Sequence, residues 1–378
     1  THCISSAASD VYKRQVFLSD MGKIADRYKA KLDEWQVPYE EGGHTEERIL
    51  AAHEVVKSPG IPETAPIVRK IRAAGIPVIS EMEFAGRYLG RSKCICITGS
   101  NGKTTTTSLI YKIMRDAGMR VALGGNIGES FAYSVATGDY DWYVLELSSF
   151  QLMTMQTSPH IAVTTNLAPN HLDVHKDYQE YVDAKANIFT HQTAGDIAVF
   201  NADNDDTVRQ AAKAVGEVRW FSRKQRVNNG VFCENGVIYE AANGTVTPIM
   251  ETKDVLLPGV HNIENYMAAF AAVRGMVSYE TMREIAKTFG GVEHRIELIR
   301  TRKGVRWYND SIASSPSRTI AGLNSFPEQV ILIAGGKDKG ISYAPLGPVV
   351  NDHVKLLLLC GNCLLYTSPS PRDVEESR

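Results

Sequence analysis

The sequence predicts an α/β protein of three consecutive blocks, each with parallel strands joined by crossover helices. Three observations predict it. Short β-rich pieces alternate with helical ones along nearly all of the 378 residues, which places helices between neighbouring parallel strands. That length exceeds what one core supports, because single cores rarely grow past about 250 to 300 residues. The stretch "CICITGSNGKTTTTSLI", residues 94 to 110, runs an apolar strand through a glycine turn into a helix, the order of a phosphate-binding unit.

The first block, 16–90, alternates "VFLSD", a helix over 22–36, "EVVKS", a helix over 63–74, "IPVIS" and a helix over 81–89. The second, 91–292, repeats the habit on a larger scale, with strands near 94–98, 120–123, 142–147, 161–165 and 196–200. The third, 293–360, opens at "EHRIELIRTRKGVRWYNDS" and continues through "QVILIAGG" to "VKLLLLC", which leaves the domain unclosed and its last leucines uncovered. Residues 1–15 show no period and no turn logic, and 363–378 turn Ser/Pro-rich and polar; both read as non-native sequence.

With 43% hydrophobic and 22% charged residues and a formal net charge of −2, the composition gives no pull toward nucleic acid or acidic membranes. No apolar run approaches the roughly 18 residues of a membrane span, and six cysteines without a paired framework suit a reducing cytoplasm. Cys360 and Cys363 form a C-x-x-C, but no second ligand pair follows, so zinc is not expected there.

A strand feeding a glycine turn and a helix presents backbone N–H groups at the helix's positive end, which binds anions. In Gly99-Ser100-Asn101-Gly102, the glycines let the backbone close on a phosphate. Lys103 can neutralise the outer phosphates, and the hydroxyl of Thr104 or Thr105 can face magnesium. The loop is shorter than G-x-x-x-x-G-K-[ST], since Ile97 stands where that pattern has its first glycine. Glu146 ends an apolar strand, at the edge where open α/β sheets bind ligands, and a buried carboxylate there needs a partner or a metal. "VTTNLAPNHLDVH" places His171, Asp173 and His175 after a further strand. Lys185, on a helix read from "YVDAKANIF", is by spacing alone a snorkelling surface lysine, the alternative being a buried amine able to take up carbon dioxide as a carbamate.

The ordered set "TGSNGKTTT", "GGNIG", "ELSSFQL", "TNLAPNHLDVH", "DAKANIF", "NADND", "LPGVHNIENYMAA", "EHRIE", "NDSIASSP" and "IAGGKDKG" resembles the Mur ligase family of ATP-dependent amide-bond ligases, from about Val16 to Leu359. The resemblance implies a Rossmann-like N-terminal domain, a central P-loop ATPase-like domain and an incomplete Rossmann-like C-terminal domain. It implies ATP and Mg2+, with Lys103 and Thr104 at the phosphates, Glu146 and His171 as metal ligands, and Lys185 carbamylated. Asn262 and Asn265 fall on positions near adenine, Arg295 on a phosphate-facing arginine and Asp310 on a ribose-binding aspartate. "SDMG", "EEGGH", "SPGIP" and "ISEMEFA" resemble the nucleotide-sugar domain of the D-glutamate-adding members. The implied substrates are UDP-N-acetylmuramoyl-L-alanine, contacted by Ser19, Asp20, Ser58, Asn126 and Ser148, and D-glutamate, held by Lys339.

By this resemblance, the alanine carboxylate takes the γ-phosphate as an acyl phosphate, which the D-glutamate amine attacks in a monomeric cytoplasmic enzyme of peptidoglycan synthesis. The motif departs from the family where Asn170 precedes His171 and where Ile312 follows "NDS". The diphosphate cradle and some 80 C-terminal residues are not matched, so this chain is expected to bind ATP and ligate little. The alternatives are another Mur ligase, folylpolyglutamate synthase, or an ATP-binding fragment without ligase activity.

Overall fold

The computed structural model describes residues 15–90, 92–169, 175–292, 296–311, 313, 316–336 and 342–360. In the first block, β1 (Leu18–Asp20) pairs parallel with β2 (Tyr39–Glu41), with the helix Asp26–Glu34 between them. β3 (Val55–Val56) pairs parallel with β4 (Val78–Ile79) around the helix Pro66–Ala73, whose proline sits in the first turn, where its missing N–H costs nothing. The strand and helix signals of 16–90 thus fall on strands and helices. β2 and the helix Glu46–Leu50 were not foreseen, being short and charged.

Nine strands form the central sheet, in the order Thr245–Glu251, Val237–Ala242, Gly230–Glu234, Glu217–Ser222, Ile197–Asn201, Ile161–Thr164, Lys93–Thr98, Trp142–Glu146 and Val121–Gly125. β5 (Lys93–Thr98), β6 (Val121–Gly125), β7 (Trp142–Glu146), β8 (Ile161–Thr164), β9 (Ile197–Asn201) and β10 (Glu217–Ser222) are parallel to their neighbours. The first five match the predicted strands. After β5 the chain builds outward on one side through β7 and β6 and on the other through β8, so β5 ends at a topological switch point, where such sheets bind ligands. β11 (Gly230–Glu234), β12 (Val237–Ala242) and β13 (Thr245–Glu251) extend the far edge, with β11 antiparallel to β12. Asn235-Gly236 and Asn243-Gly244 turn between them with positive φ at all four residues, the requirement of a type I′ hairpin.

The core of this sheet includes Cys96, Leu145, Leu147, Phe189 and Phe200, and also Met82 and Ala85 from the helix Glu81–Gly86. Tyr266 to Val273, in the helix Val260–Val273, are fully buried, as expected of a segment apolar all round.

The chain divides into two compact units, one holding the described residues up to Met250 with Asn265–Ile285, the other Glu251–Glu264 with those from Ala286 onward. In the second unit β14 (Glu297–Arg302) pairs antiparallel with β15 (Val305–Asn309), and β16 (Val330–Gly335) pairs parallel with β17 (Val354–Cys360). Ile331 stands opposite Leu356 and Ile333 opposite Leu358, and all four are exposed. Among the described residues no helix is long and apolar enough to cross a membrane.

Candidate active site

The phosphate loop leaves β5 and enters the helix Lys103–Asp116 through two glycines with positive φ, 142° at Gly99 and 80° at Gly102. Neighbours wall both. A Cβ on Gly99 would lie 1.9 Å from Thr165 Oγ1, and one on Gly102 2.3 Å from Asn265 Oδ1. The loop is tied down by hydrogen bonds: Ser100 N donates to Asn166 O at 2.8 Å and Asn101 N to Asn166 Oδ1 at 3.0 Å. Thr165 Oγ1 donates to Asn101 O at 2.6 Å, while Ser100 Oγ lies 2.8 Å from the Tyr181 hydroxyl. Thr104 and Thr105 are buried in the first turn of the helix, whose opening amides have no acceptor within the helix. Lys103 Nζ donates to Gly99 O at 3.0 Å and Ser100 O at 3.3 Å, so the ammonium already lies across the loop.

Gly102→Ala is therefore expected to weaken binding of an ATP analogue by more than about tenfold, combining left-handed strain of about 1–2 kcal/mol with the collision at Asn265. Calorimetric titration of the analogue checks it; unchanged affinity would show that the loop tolerates a side chain.

Glu146 ends β7 and is only 2% exposed. Its Oε1 accepts from Asn126 Nδ2 at 2.9 Å, and the Asn126 N–H donates to Glu146 O at 2.8 Å. Oε2 is buried without a hydrogen-bond partner. A carboxylate oxygen left so is costly unless a cation completes it, and the hard oxygen donor is of the kind magnesium takes. Among the described residues no three His, Cys, Asp or Glu side chains group to hold a metal.

Lys185 is 3% exposed, which departs from the surface role its spacing suggested. It is the one lysine of the helix Tyr178–Ala186, and Tyr181, one turn earlier, places its ring 4.8 Å beneath the amine. Nζ donates to Thr98 Oγ1 at 3.1 Å, and that hydroxyl donates to Leu147 O at 2.9 Å. Burial holds the ammonium well below the usual lysine range, the Lys103 charge adds to the depression, and Glu146 opposes it. Thr98, Thr165 and Tyr181 were missed in the sequence; the signal available was hydroxyls at strand ends and an aromatic four residues before the lysine.

The other predicted residues make contacts of their own. Ser148 caps the helix Ser149–Leu152 in a capping box with Gln151. In the first block Ser19 Oγ donates to Glu40 Oε1 at 2.6 Å and lies 2.6 Å from His44 Nδ1, Asp20 Oδ1 accepts from Gly22 N at 2.8 Å, and Ser58 O accepts from Ile61 N at 3.1 Å. Asn262 and Asp310 belong to the second unit, where Asn262 Nδ2 donates to Pro258 O at 2.5 Å and Asp310 Oδ1 accepts from Ile296 N at 3.2 Å. His175 is buried against Phe150, with Nε2 2.9 Å from Ser149 Oγ. His171, Asp173, Arg295, Lys339 and Cys363 lie outside the described residues.

Residues 97–273 match the Mur ligase middle domain and residues 9–66 the MurD N-terminal domain. The chain is 50% identical over 306 residues to the UDP-N-acetylmuramoylalanine–D-glutamate ligase of Acetivibrio thermocellus, covering 81% of this chain and 66% of that protein. It is 46% identical to the protein of the same name from Ruminiclostridium cellulolyticum, over 90% of this chain and 73% of that one. With the one from Clostridium botulinum (strain Alaska E43 / Type E3) identity is 43%, over 95% and 77%. The chain thus spans 66 to 77% of these relatives' lengths. Among solved structures, the UDP-N-acetylmuramate-alanine ligase of Thermotoga maritima aligns with TM-score 0.58 at 17% identity, over 95% of this chain and 87% of that one, a likeness of fold. The chain belongs to the Mur ligase family, and its sequence groups with the UDP-N-acetylmuramoylalanine–D-glutamate ligases of that family.

Proposed function

We propose that the chain carries the machinery of an ATP-dependent ligase that joins D-glutamate to the alanine carboxylate of UDP-N-acetylmuramoyl-L-alanine. The observation that carries this reading is the convergence of the walled phosphate loop, the partnerless Glu146 Oε2 and the buried Lys185 amine at one end of the central sheet. A carboxylate is a poor electrophile, and phosphorylation by ATP makes it an acyl phosphate that an amine can attack. The physical task is to bring anions together. Lys103 and the loop amides neutralise phosphate charge, and Glu146 with Thr104 would hold magnesium, which supplies further positive charge at the transferred group. His171 and a carbamylated Lys185 would complete a second metal position. Asn126, bonded to Glu146 on one side, would face the nucleotide sugar, as would Ser19, Asp20, Ser58 and Ser148.

Asn262, Asn265, Arg295 and Asp310 would serve the nucleoside and phosphates, and Lys339 the incoming amino acid. The three blocks 16–90, 91–292 and 293–360 would act as nucleotide-sugar, ATP and amino-acid domains of a cytoplasmic monomer.

ADP release in the presence of ATP, magnesium and the nucleotide sugar tests the reading. Whatever release occurs is expected to depend on D-glutamate and not on L-lysine or L-glutamate. Stimulation by L-lysine would select a different peptidoglycan ligase, and L-glutamate folylpolyglutamate synthase. A second reading, nucleotide binding without ligation, rests on the phosphate loop, Glu146 and Lys185 alone, all of which lie in the first unit. ATP-analogue binding without any amino-acid-dependent ADP release would select it.

A further inference from the structure

The helix Glu81–Gly86 carries two carboxylates that bond outside their own helix, while Met82 and Ala85 are buried in the core of the central sheet. Glu81 Oε1 accepts from Ala132 N at 3.0 Å and from Ser130 Oγ. Ser130 is the N-cap of the helix Phe131–Thr137, and its Oγ also accepts from Tyr133 N. One hydroxyl thus accepts from the first turn and donates outward to a carboxylate lying at the helix's positive end, a favourable place for an anion. Glu83 does different work. Its Oε2 accepts from Gln156 N and Thr157 Oγ1, both at 3.0 Å, on a segment that does not include the loop.

The chain between β6 and Ser130 is a tight return with little slack. Glu129 N donates to Leu123 O at 3.3 Å, and a Cβ on Gly128 would lie 2.7 Å from that same oxygen. A Cβ on Gly125 would lie 2.3 Å from Glu146 O. Asn126 sits within this return, both of its donors on Glu146. The return is therefore held at three places, by Glu146 at Asn126, by Leu123 at Glu129 and by Glu81 at Ser130 and Ala132, so losing Glu81 frees one of the three.

We infer that Glu81 is a positioning residue for the nucleotide-sugar substrate: by clamping Ser130 and Ala132 it sets the 123–130 return and with it the aim of Asn126. The inference rests on the reading that this loop faces UDP-N-acetylmuramoyl-L-alanine. It touches no reacting atom, so its signature is selective loss of one substrate's binding.

The test compares Glu81→Ala, Glu81→Gln and Glu83→Ala with the unsubstituted full chain. UDP-N-acetylmuramoyl-L-alanine and a non-hydrolysable ATP analogue are titrated separately by calorimetry, and amide hydrogen exchange is followed over residues 125–133. Glu81→Ala is expected to weaken the nucleotide sugar roughly tenfold, the scale of one charge-assisted hydrogen bond, with ATP-analogue affinity unchanged and exchange at Ala132 faster. Glu81→Gln keeps an oxygen acceptor and should recover most of the affinity. Glu83→Ala should leave nucleotide-sugar affinity as it was. Equal losses in Glu81→Ala and Glu83→Ala, or loss of both ligands together, would overturn the positioning role in favour of general destabilisation. Unchanged exchange at Ala132 would overturn it as well. If the unsubstituted chain fails to bind the nucleotide sugar, the proposed function falls, while the exchange comparison still decides whether Glu81 holds the return.

Discussion

Lys103→Ala abolishes turnover and weakens ATP-analogue binding at least tenfold: that is the result expected from a cation lying across the loop, with Nζ 3.0 Å from Gly99 O and 3.3 Å from Ser100 O. A hydrogen bond from a charged donor contributes about 1.5–3 kcal/mol, and removing a donor aimed at developing charge costs about 10² to 10³ in rate. The second effect is electrostatic. Lys103 is one of the charges that depress Lys185, so in the alanine variant the Lys185 ammonium moves back up toward the usual lysine range. Both consequences act against the reaction. Phosphate release at a near-normal rate in this variant would remove Lys103 from the mechanism.

The second large effect is expected at Lys185. Burial favours its neutral amine, and a neutral amine can add to the carbon of carbon dioxide and lose a proton, leaving a carbamate anion. Under the proposed reading that anion serves the second metal, so Lys185→Ala should be inactive and partly rescued by acetate, which restores a small carboxylate in the space vacated. Lys185→Arg offers no such anion and should stay inactive with or without acetate. Lys185→Met separates site loss from misfolding. Methionine fills much of the volume of a side chain that is 3% exposed, so a single cooperative thermal transition should persist while activity is lost. Normal turnover by the arginine variant would exclude a carbamate role, whatever the stability data show.

What the sequence made legible was local. Gly99, Gly102 and Lys103 announce themselves because strand, turn and helix follow one another within a few residues, and Glu146 because it ends an apolar run. The burial of Lys185 was not legible, since it depends on Thr98, 87 residues earlier, meeting the amine, a contact that helical spacing does not encode; only Tyr181, one turn earlier, was a local signal. Glu81 and Glu83 look like solvated helix-start residues, yet their partners lie 49 to 74 positions further along the chain. β11 to β13 could have been read: Asn235-Gly236 and Asn243-Gly244 between β-rich runs are the strongest short-range hairpin signal. Arg295, Lys339 and the metal role of His171 rest on family resemblance, whereas the three blocks are read from the alternation of strand and helix signals.

The two loop glycines face different walls, Thr165 for Gly99 and Asn265 for Gly102, and those walls come from segments 66 and 163 residues away from them. Each glycine and its wall therefore form a genetic pair. A methyl group at 102 collides with Asn265, so compensation for it is to be sought at 265, by a side chain shorter than asparagine. The same lesion at 99 calls for a change at 165, where serine would keep the colliding hydroxyl and alanine would remove it. Neither compensation erases the left-handed strain, so each revertant would remain a partial one. Drift at 165 or 265 is thereby tied to the phosphate loop, and a lineage that changed either wall first would make its glycine easier to lose.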